Sequence, residues 1–580
     1  MSFKFKLACF LAAALLLAGC SDPTEFDESV VTGETVEIDG ARHVTLTESL
    51  TITEAGSYVL TGSIPAGQLT IDAPKDAKLE IILNGVDIAC PTSAALYIKQ
   101  ADKVTITLAD GSVNKLTNDS GYVAIDDNNI DAVLFSKEDL EIGGTGTLQI
   151  GAASGNGITS KDDLKIEGGV YVVDVGNHAL EAKDLLRIKD GSFTLTGGKD
   201  ALHAENSDDT ALGNIEIEGG VFHLNAAADG IDASGTFAAS GCEITLKAAG
   251  KGIVSTGDMT LGGGTYVIES TDDALHSNAN LAVNDGAYTL TSGDDGAHAD
   301  NNLKITGGVI DILKSYEGLE GQSIDIYGGT VTLKASDDGI NAAGGNDGSG
   351  MGGGWGGRGG DMFAVDANAY IAIHGGSVTV DADGDGIDSN GSLDMTGGEL
   401  YVSGPTNSGN GTLDYGGSAS ISGGTVIAAG SAGMTQNFGS ASTQCAALVN
   451  LSGNAGDVIT LKDAAGKVLA SYTAAKRFQT VIVSHPDLAV GDCCSVEAGG
   501  NSVSVTFDAI ISGSGGGFGG GGWGGFGGGR GGRQDMQQQL PQDITQDKQG
   551  GKFGDMTPPE LPEDMQGMQP GMIPGGKRPM

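Results

Sequence analysis

The chain has 580 residues, 99 of them glycine, with only 5% aromatic and 18% charged residues and a formal net charge of −44. A chain this acidic has no basic surface to displace phosphate counterions, which excludes a nucleic-acid partner. It suits cations instead, or ligands reached through cations.

The N-terminus reads as an export signal. Lys4 and Lys6 precede an apolar run from Leu7 to Ala18. A membrane-spanning helix needs about 20 apolar residues, and this run is shorter, as in the h-region of a signal peptide. Leu17-Ala18-Gly19-Cys20 has lipobox spacing, so residues 1–19 are expected to be a lipoprotein signal peptide and Cys20 its lipidated residue. Residues 20–34 follow as a polar tether. The expected location is outside the cytoplasm, at the cell membrane or cell surface, held there by the lipid alone. Beyond Cys20 stand Cys90, Cys242, Cys445, Cys493 and Cys494, which neither show zinc spacing nor require a disulfide framework.

From residue 35 to 430 the chain repeats. Residues 35–150 hold loose alternating segments such as Leu79-Glu-Ile81 and Leu140-Glu-Ile142. A stricter beat then begins. An apolar residue preceded by a small one falls at Ile158, Leu180, Leu202, Ile231, Ile253, Leu275, Ala297, Leu319, Ile340 and Ile387, mostly 22 residues apart. Gly-Gly or Asp-Gly pairs, from Gly168-Gly169 to Gly397-Gly398, keep the same beat. Alternation between the markers, as in Ile215-Glu-Ile217 and Ile324-Asp-Ile326, predicts strands with one buried face, and the glycine pairs predict tight corners. One such unit cannot bury a core alone, so neighbours must stack on it. The expected fold is all-β: a right-handed parallel β-helix of about 22-residue rungs, the hand following from the usual twist preference. A glycine-rich insertion, 343–361, contains Trp355 and reads either as a flexible loop or as a mobile aromatic that stacks on sugar rings. Residues 431–511 lose the period and predict a small antiparallel β domain capping the open sheet edge. Residues 512–580, glycine-rich and then rich in Gln, Met and Pro, predict a disordered tail.

Stacked repeats can be read as columns. Two residues before the marker stand His178, Asp200, Asp229, Asp273, Asp295, Glu317, Asp338 and Asp385, and one residue after it stand Glu181, His203, Asp232, His276, His298, Glu320, Asn341 and Asp388. Further acids precede at Asp272, Asp294, Asp337 and Asp383. Carboxylates spaced like strands, ~4.8 Å apart, repel by about 3.5 kcal/mol per pair at an effective dielectric near 20, so the column requires protons, partners or cations. Oxygen-rich acidic sites suit Ca²⁺. The expected metal ligands are Asp200, Asp229, Asp232, Asp272, Asp273, Asp294, Asp295, Glu317, Glu320, Asp337, Asp338, Asp383, Asp385 and Asp388. His203, His276, His298 and Asn341, with Trp355, are expected to face substrate, although the histidines also fit a transition metal. The alternative for the first column is that aspartate before glycine makes a good turn. Lys251 breaks the pattern between Asp229 and Asp273. It is either a built-in counter-charge or the Brønsted base of a uronate β-elimination.

Asp383-Gly-Asp-Gly-Ile-Asp-Ser-Asn390, Gly404-Pro-Thr-Asn-Ser-Gly-Asn-Gly-Thr-Leu-Asp-Tyr415 and Gly423-Gly-Thr-Val-Ile-Ala-Ala-Gly430, with Leu83-Asn-Gly-Val86, Ile98-Lys-Gln-Ala-Asp102 and Ser136-Lys-Glu-Asp-Leu140, resemble the β-helix carbohydrate-binding lipoproteins of cellulolytic clostridia. The resemblance implies a right-handed parallel β-helix with Ca²⁺ sites like those of pectate lyases, and binding of cellulose and polygalacturonate. The leading expectation is therefore a surface-anchored, calcium-dependent polysaccharide-binding protein. A calcium-dependent uronate lyase with Lys251 as base, and a structural or adhesive surface protein, are the alternatives.

Overall fold

The computed structural model describes residues 36–38, 40–123, 126, 128–342 and 365–513. The leader with Cys20, the glycine tract with Trp355 and the tail from residue 514 lie outside the described residues. Among the described residues the structure is all β, without a helix, and 46 strands join one large, mostly parallel sheet. That arrangement is compatible with a β-helix or solenoid.

The alternation of the sequence sets which residues turn inward. Val221–Ala226 alternates exposed and buried positions, sending Phe222 and Leu224 to the core. Three ladders of parallel strands recur along the chain. One aligns Ile231, Ile253, Leu275, Ala297 and Leu319; the second aligns Phe237, Met259, Leu281, Leu303 and Ile324. The third aligns Phe222, Ile244, Tyr266, Tyr288 and Ile310. In-register pairing stacks like on like. Phe193 lies 4.5 Å from Phe222 and Tyr266 lies 4.7 Å from Tyr288, ring centroid to centroid and nearly parallel, which is the spacing of neighbouring strands. The tyrosine hydroxyls escape an unsatisfied burial by donating to corner carbonyls, Tyr266 to Gly263 and Tyr288 to Asp285.

At the corners the glycines stack too. Gly329 and Gly376 hold φ of 86° and 81°, and a Cβ on Gly376 would meet the Gly329 carbonyl oxygen at 2.7 Å. Left-handed backbone and close approach coincide there, so only glycine fits.

The looser region before residue 150 joins the first ladder, with Leu50, Leu69, Leu96 and Leu134 in register. Near the other end, Phe478–Ser484 runs antiparallel beside Thr425–Gly430, and Ala446–Gly453 pairs with it in turn. Val481 to Val483, read from sequence as part of a separate cap, thus belong to the large sheet. A second sheet of four antiparallel strands spans Val458–Asp463, Val468–Thr473, Cys493–Ala498 and Asn501–Thr506. The cysteines beyond Cys20 are free thiols, including the adjacent Cys493 and Cys494.

Candidate functional site

The first column turns out to be a hydrogen-bond ladder. At six of its corners a side-chain oxygen accepts the backbone N–H of the equivalent residue one repeat later. Asn156 Oδ1 takes His178 N–H (3.1 Å), Asp200 Oδ1 takes Asp229 (2.9 Å), and Asp229 Oδ1 takes Lys251 (2.6 Å). Asp273 Oδ1 takes Asp295 (2.9 Å), Asp338 Oδ1 takes Asp385 (2.6 Å), and Asp385 Oδ1 takes Gly411. The corner interrupts backbone pairing, and the side chain supplies the missing acceptor. One oxygen of Asp200, Asp229, Asp273, Asp338 and Asp385 is thereby committed to the fold, and the other is left for the site.

The second column aligns Glu181, His203, Asp232, Val254, His276, His298, Glu320, Asn341, Asp388 and Asp414 on neighbouring strands. Its first half carries its own cations. Lys161 Nζ lies 3.2 Å from Glu181. His178 and His203 place Nδ1 at 3.0 and 3.2 Å from Asp200 Oδ2, and His203 Nδ1 is also 3.2 Å from Asp232. Lys251 Nζ sits 2.5 Å from Asp273 and 3.0 Å from Asp272, and His276 Nδ1 reaches Asp273 at 2.7 Å. His298 Nδ1 lies 2.7 Å from Glu320 and 3.2 Å from Asp295.

These contacts set the charges. Burial works against ionised Asp200, yet the adjacent His178 and His203 hold its carboxyl far below the usual range. Burial likewise opposes charge on His203 and His298, but their carboxylate neighbours raise the imidazoles to about 10 and about 11. Lys251 is pushed above the ordinary lysine range because Asp273 and Asp272 outweigh its desolvation. Lys251 is thus ion-paired to both carboxylates. The histidines, expected at a sugar face, point at the carboxylates of the column, and His276 and His298 are buried.

The second half is different. Glu317, Asp338, Asp385 and Asp388 are raised to about 8, 6, 8 and 7, first by burial and then by neighbouring carboxylates. Asp414 is raised by burial as well, and it acts on Asp338, Asp385 and Asp388. Asn341 donates to Glu317 Oε2 at 2.7 Å, while its own Oδ1 is buried without a hydrogen-bond partner. Gly384 lies against this cluster; a Cβ there would stand 2.3 Å from Asp338 Oδ1 and 2.4 Å from Asp337 Oδ1. Asp383, expected among the ligands, instead faces outward and pairs with Lys476 at 3.0 Å. Asp272 and Asp294 group with Asp273 beside Lys251 rather than with this cluster.

Two features escaped sequence reasoning. Asp414 completes the second column but follows a long loop that breaks the period. Tyr327, 49% exposed, stacks on His374 at 4.4 Å with Lys304 Nζ 5.3 Å from its ring. An open cleft of about 490 Å³ also crosses successive strands just before the first half of the column, floored by Gly197, Gly198 and Ala226 and edged by Thr196, Asn225 and Lys247.

The profile of a family described as carbohydrate-binding domain-containing protein matches residues 47–296 and 295–464. A protein of that description from Acetivibrio thermocellus is 36% identical over 180 residues, 29% of this chain and 63% of the relative. The match thus spans less than two thirds of that relative's length. A solved structure described as a polysaccharide lyase-like protein from C. thermocellum, gadolinium derivative, aligns with 47% of this chain and 90% of its own at 26% identity, with a TM-score of 0.31.

Proposed function

The chain belongs to the carbohydrate-binding domain-containing proteins, and from that premise we propose that it captures polysaccharide along the acidic column with Ca²⁺ as the bridging ion. The observation that carries the reading is that the family match contains the whole column, from Asn156 to Asp414. A right-handed β-helix of 22-residue rungs, with the four-stranded antiparallel sheet between residues 458 and 506 at its C-terminal side, is the architecture we propose for it. Such a coil exposes a line of equivalent groups along which a linear polymer can lie. The cleft beside Thr196, Asn225 and Lys247 supplies hydrogen-bonding edges over a floor without bulky side chains. Tyr327 supplies an exposed ring for stacking on sugar faces.

The donor chemistry between Glu317 and Asp414 fits Ca²⁺. Glu317, Asn341, Asp338, Asp385, Asp388 and Asp414 offer only oxygen, the ligand class of Ca²⁺; spread over four successive strands, they suit ions held between neighbouring repeats, with remaining positions filled by water or glycan. Carboxyls whose proton affinity is raised by burial and then by one another, and an amide oxygen buried without a donor, are what a hard cation would satisfy. When bound, the ion supplies the charge that attracts the carboxylates of an acidic glycan such as polygalacturonate. Asp338 and Asp385 orient the set, since each spends one oxygen on the backbone of the next repeat. Cellulose, lacking carboxylates, would be held by the cleft and Tyr327 alone.

Lys251 favours binding over β-elimination. A base must give up its proton near neutral pH, whereas Lys251 is clamped between two carboxylates that keep it charged. Export and lipidation at Cys20 would hold captured polymer at the cell surface. Affinity electrophoresis in gels containing polygalacturonate or cellulose tests the reading. Retardation by polygalacturonate that is abolished by chelator and restored by Ca²⁺ supports it. Migration unchanged by either polymer sinks it.

A further inference from the structure

The column holds two stacked histidine pairs, and they are not alike. His276 and His298 stack at 4.6 Å, and each is satisfied within the fold. Their Nδ1 atoms meet Asp273 and Glu320 at 2.7 Å, and their Nε2 atoms meet Asn278 at 2.9 Å and Asp300 at 3.1 Å. His178 and His203 stack closer, at 4.1 Å, and converge on one oxygen, Asp200 Oδ2. Both of their Nδ1 atoms are buried, and neither is aligned with a hydrogen-bond acceptor despite the short distances.

We propose that His178 Nδ1, His203 Nδ1 and Asp200 Oδ2, with Asp232 Oδ2 beside them, bind a divalent transition-metal ion of the Zn²⁺ class, at a site distinct from the all-oxygen cluster farther along the column. The three first-named ligand atoms lie within 4.8 Å of one another, so one ion reaches all of them after small adjustments. Mixed imidazole and carboxylate donors select Zn²⁺, Cu²⁺ or Ni²⁺ over Ca²⁺. Asp200 is held in place because Oδ1 accepts the Asp229 N–H, leaving Oδ2 to face the rings. His178 and His203 keep 12% of their side-chain surface exposed, which leaves an ion a way in.

The test uses the full-length protein, stripped with chelator and titrated with Zn²⁺ by calorimetry in the presence of excess Ca²⁺. The expected result is one tight Zn²⁺ equivalent that Ca²⁺ does not displace, and its loss in His178→Gln/His203→Gln. Cu²⁺ loaded at one equivalent should show nitrogen hyperfine coupling from two imidazoles, retained in His276→Gln. Asp232→Asn, a milder change at a partly exposed residue, should weaken Zn²⁺ uptake in a protein that still unfolds cooperatively when chelated. Absence of tight Zn²⁺ uptake in the wild type, or equal uptake in the double variant, would overturn the proposal. Ca²⁺ uptake is read separately: its failure would overturn the calcium reading above and leave this one standing.

Discussion

Replacing Asp388 with asparagine should stabilise the metal-free protein, but only at high pH. Burial, and after it the neighbouring Asp338, Asp414 and Asp337, push the Asp388 carboxyl up to about 7 from an ordinary 3.8. A folded value above the unfolded one means that the ionised carboxylate opposes folding. Below about pH 4 the group is protonated in both states and costs nothing. Between about pH 4 and 7 the unfolded chain loses its proton first, and stability drains away as pH rises. A rise of about three pH units corresponds to about 4 kcal/mol at its fullest, and sharing of protons among neighbouring carboxyls brings the expected gain to about 2–4 kcal/mol. Asparagine keeps the shape and removes the charge. Denaturant unfolding in chelator, compared at pH 4 and pH 8, should show the variant equal to wild type at the first and more stable at the second. With saturating Ca²⁺ the order should reverse at pH 8, because the variant loses a charged ligand. A variant less stable than wild type at pH 8 in chelator would refute the reasoning, since Asp388 would then be stabilising the fold without any ion.

Lys251→Ala should cost about 3–5 kcal/mol in denaturant unfolding, because Asp273, fully buried, loses its counter-charge. Gly384→Ala should abolish Ca²⁺-dependent thermal stabilisation and also lower the melting temperature of the chelated protein, since its Cβ would meet the Asp337 backbone carbon at 2.6 Å and displace Asp338 Oδ1 from the Asp385 N–H. Phe222→Ala should destabilise by about 3–5 kcal/mol, as it removes the end of a buried ring stack with Phe193 and leaves a cavity. Tyr327→Ala should weaken retardation in a polygalacturonate gel without moving the melting temperature, because the ring is half exposed.

The repeat and its two columns were legible in the chain because parallel, in-register strands place residues 22 apart on top of one another. Distance along the sequence becomes distance across the sheet, so a list of positions already shows which side chains share a line. Where the chain departs from that rule, reading failed. Asp414 was missed because the loop before it lengthens the step, and the pairing of Asp383 with Lys476 was invisible because the two lie 93 residues apart, the lysine in a segment outside the repeat. Sequence by itself determined the acidity, the beat and the identity of the residues in each column. Only the tertiary structure decided how their charges are divided: an early half neutralised by Lys161, Lys251 and histidines, and a later half of carboxylates crowded against one another. That division depends on burial and on which atom of a side chain faces which neighbour, and neither is carried by the spacing of residues along the chain.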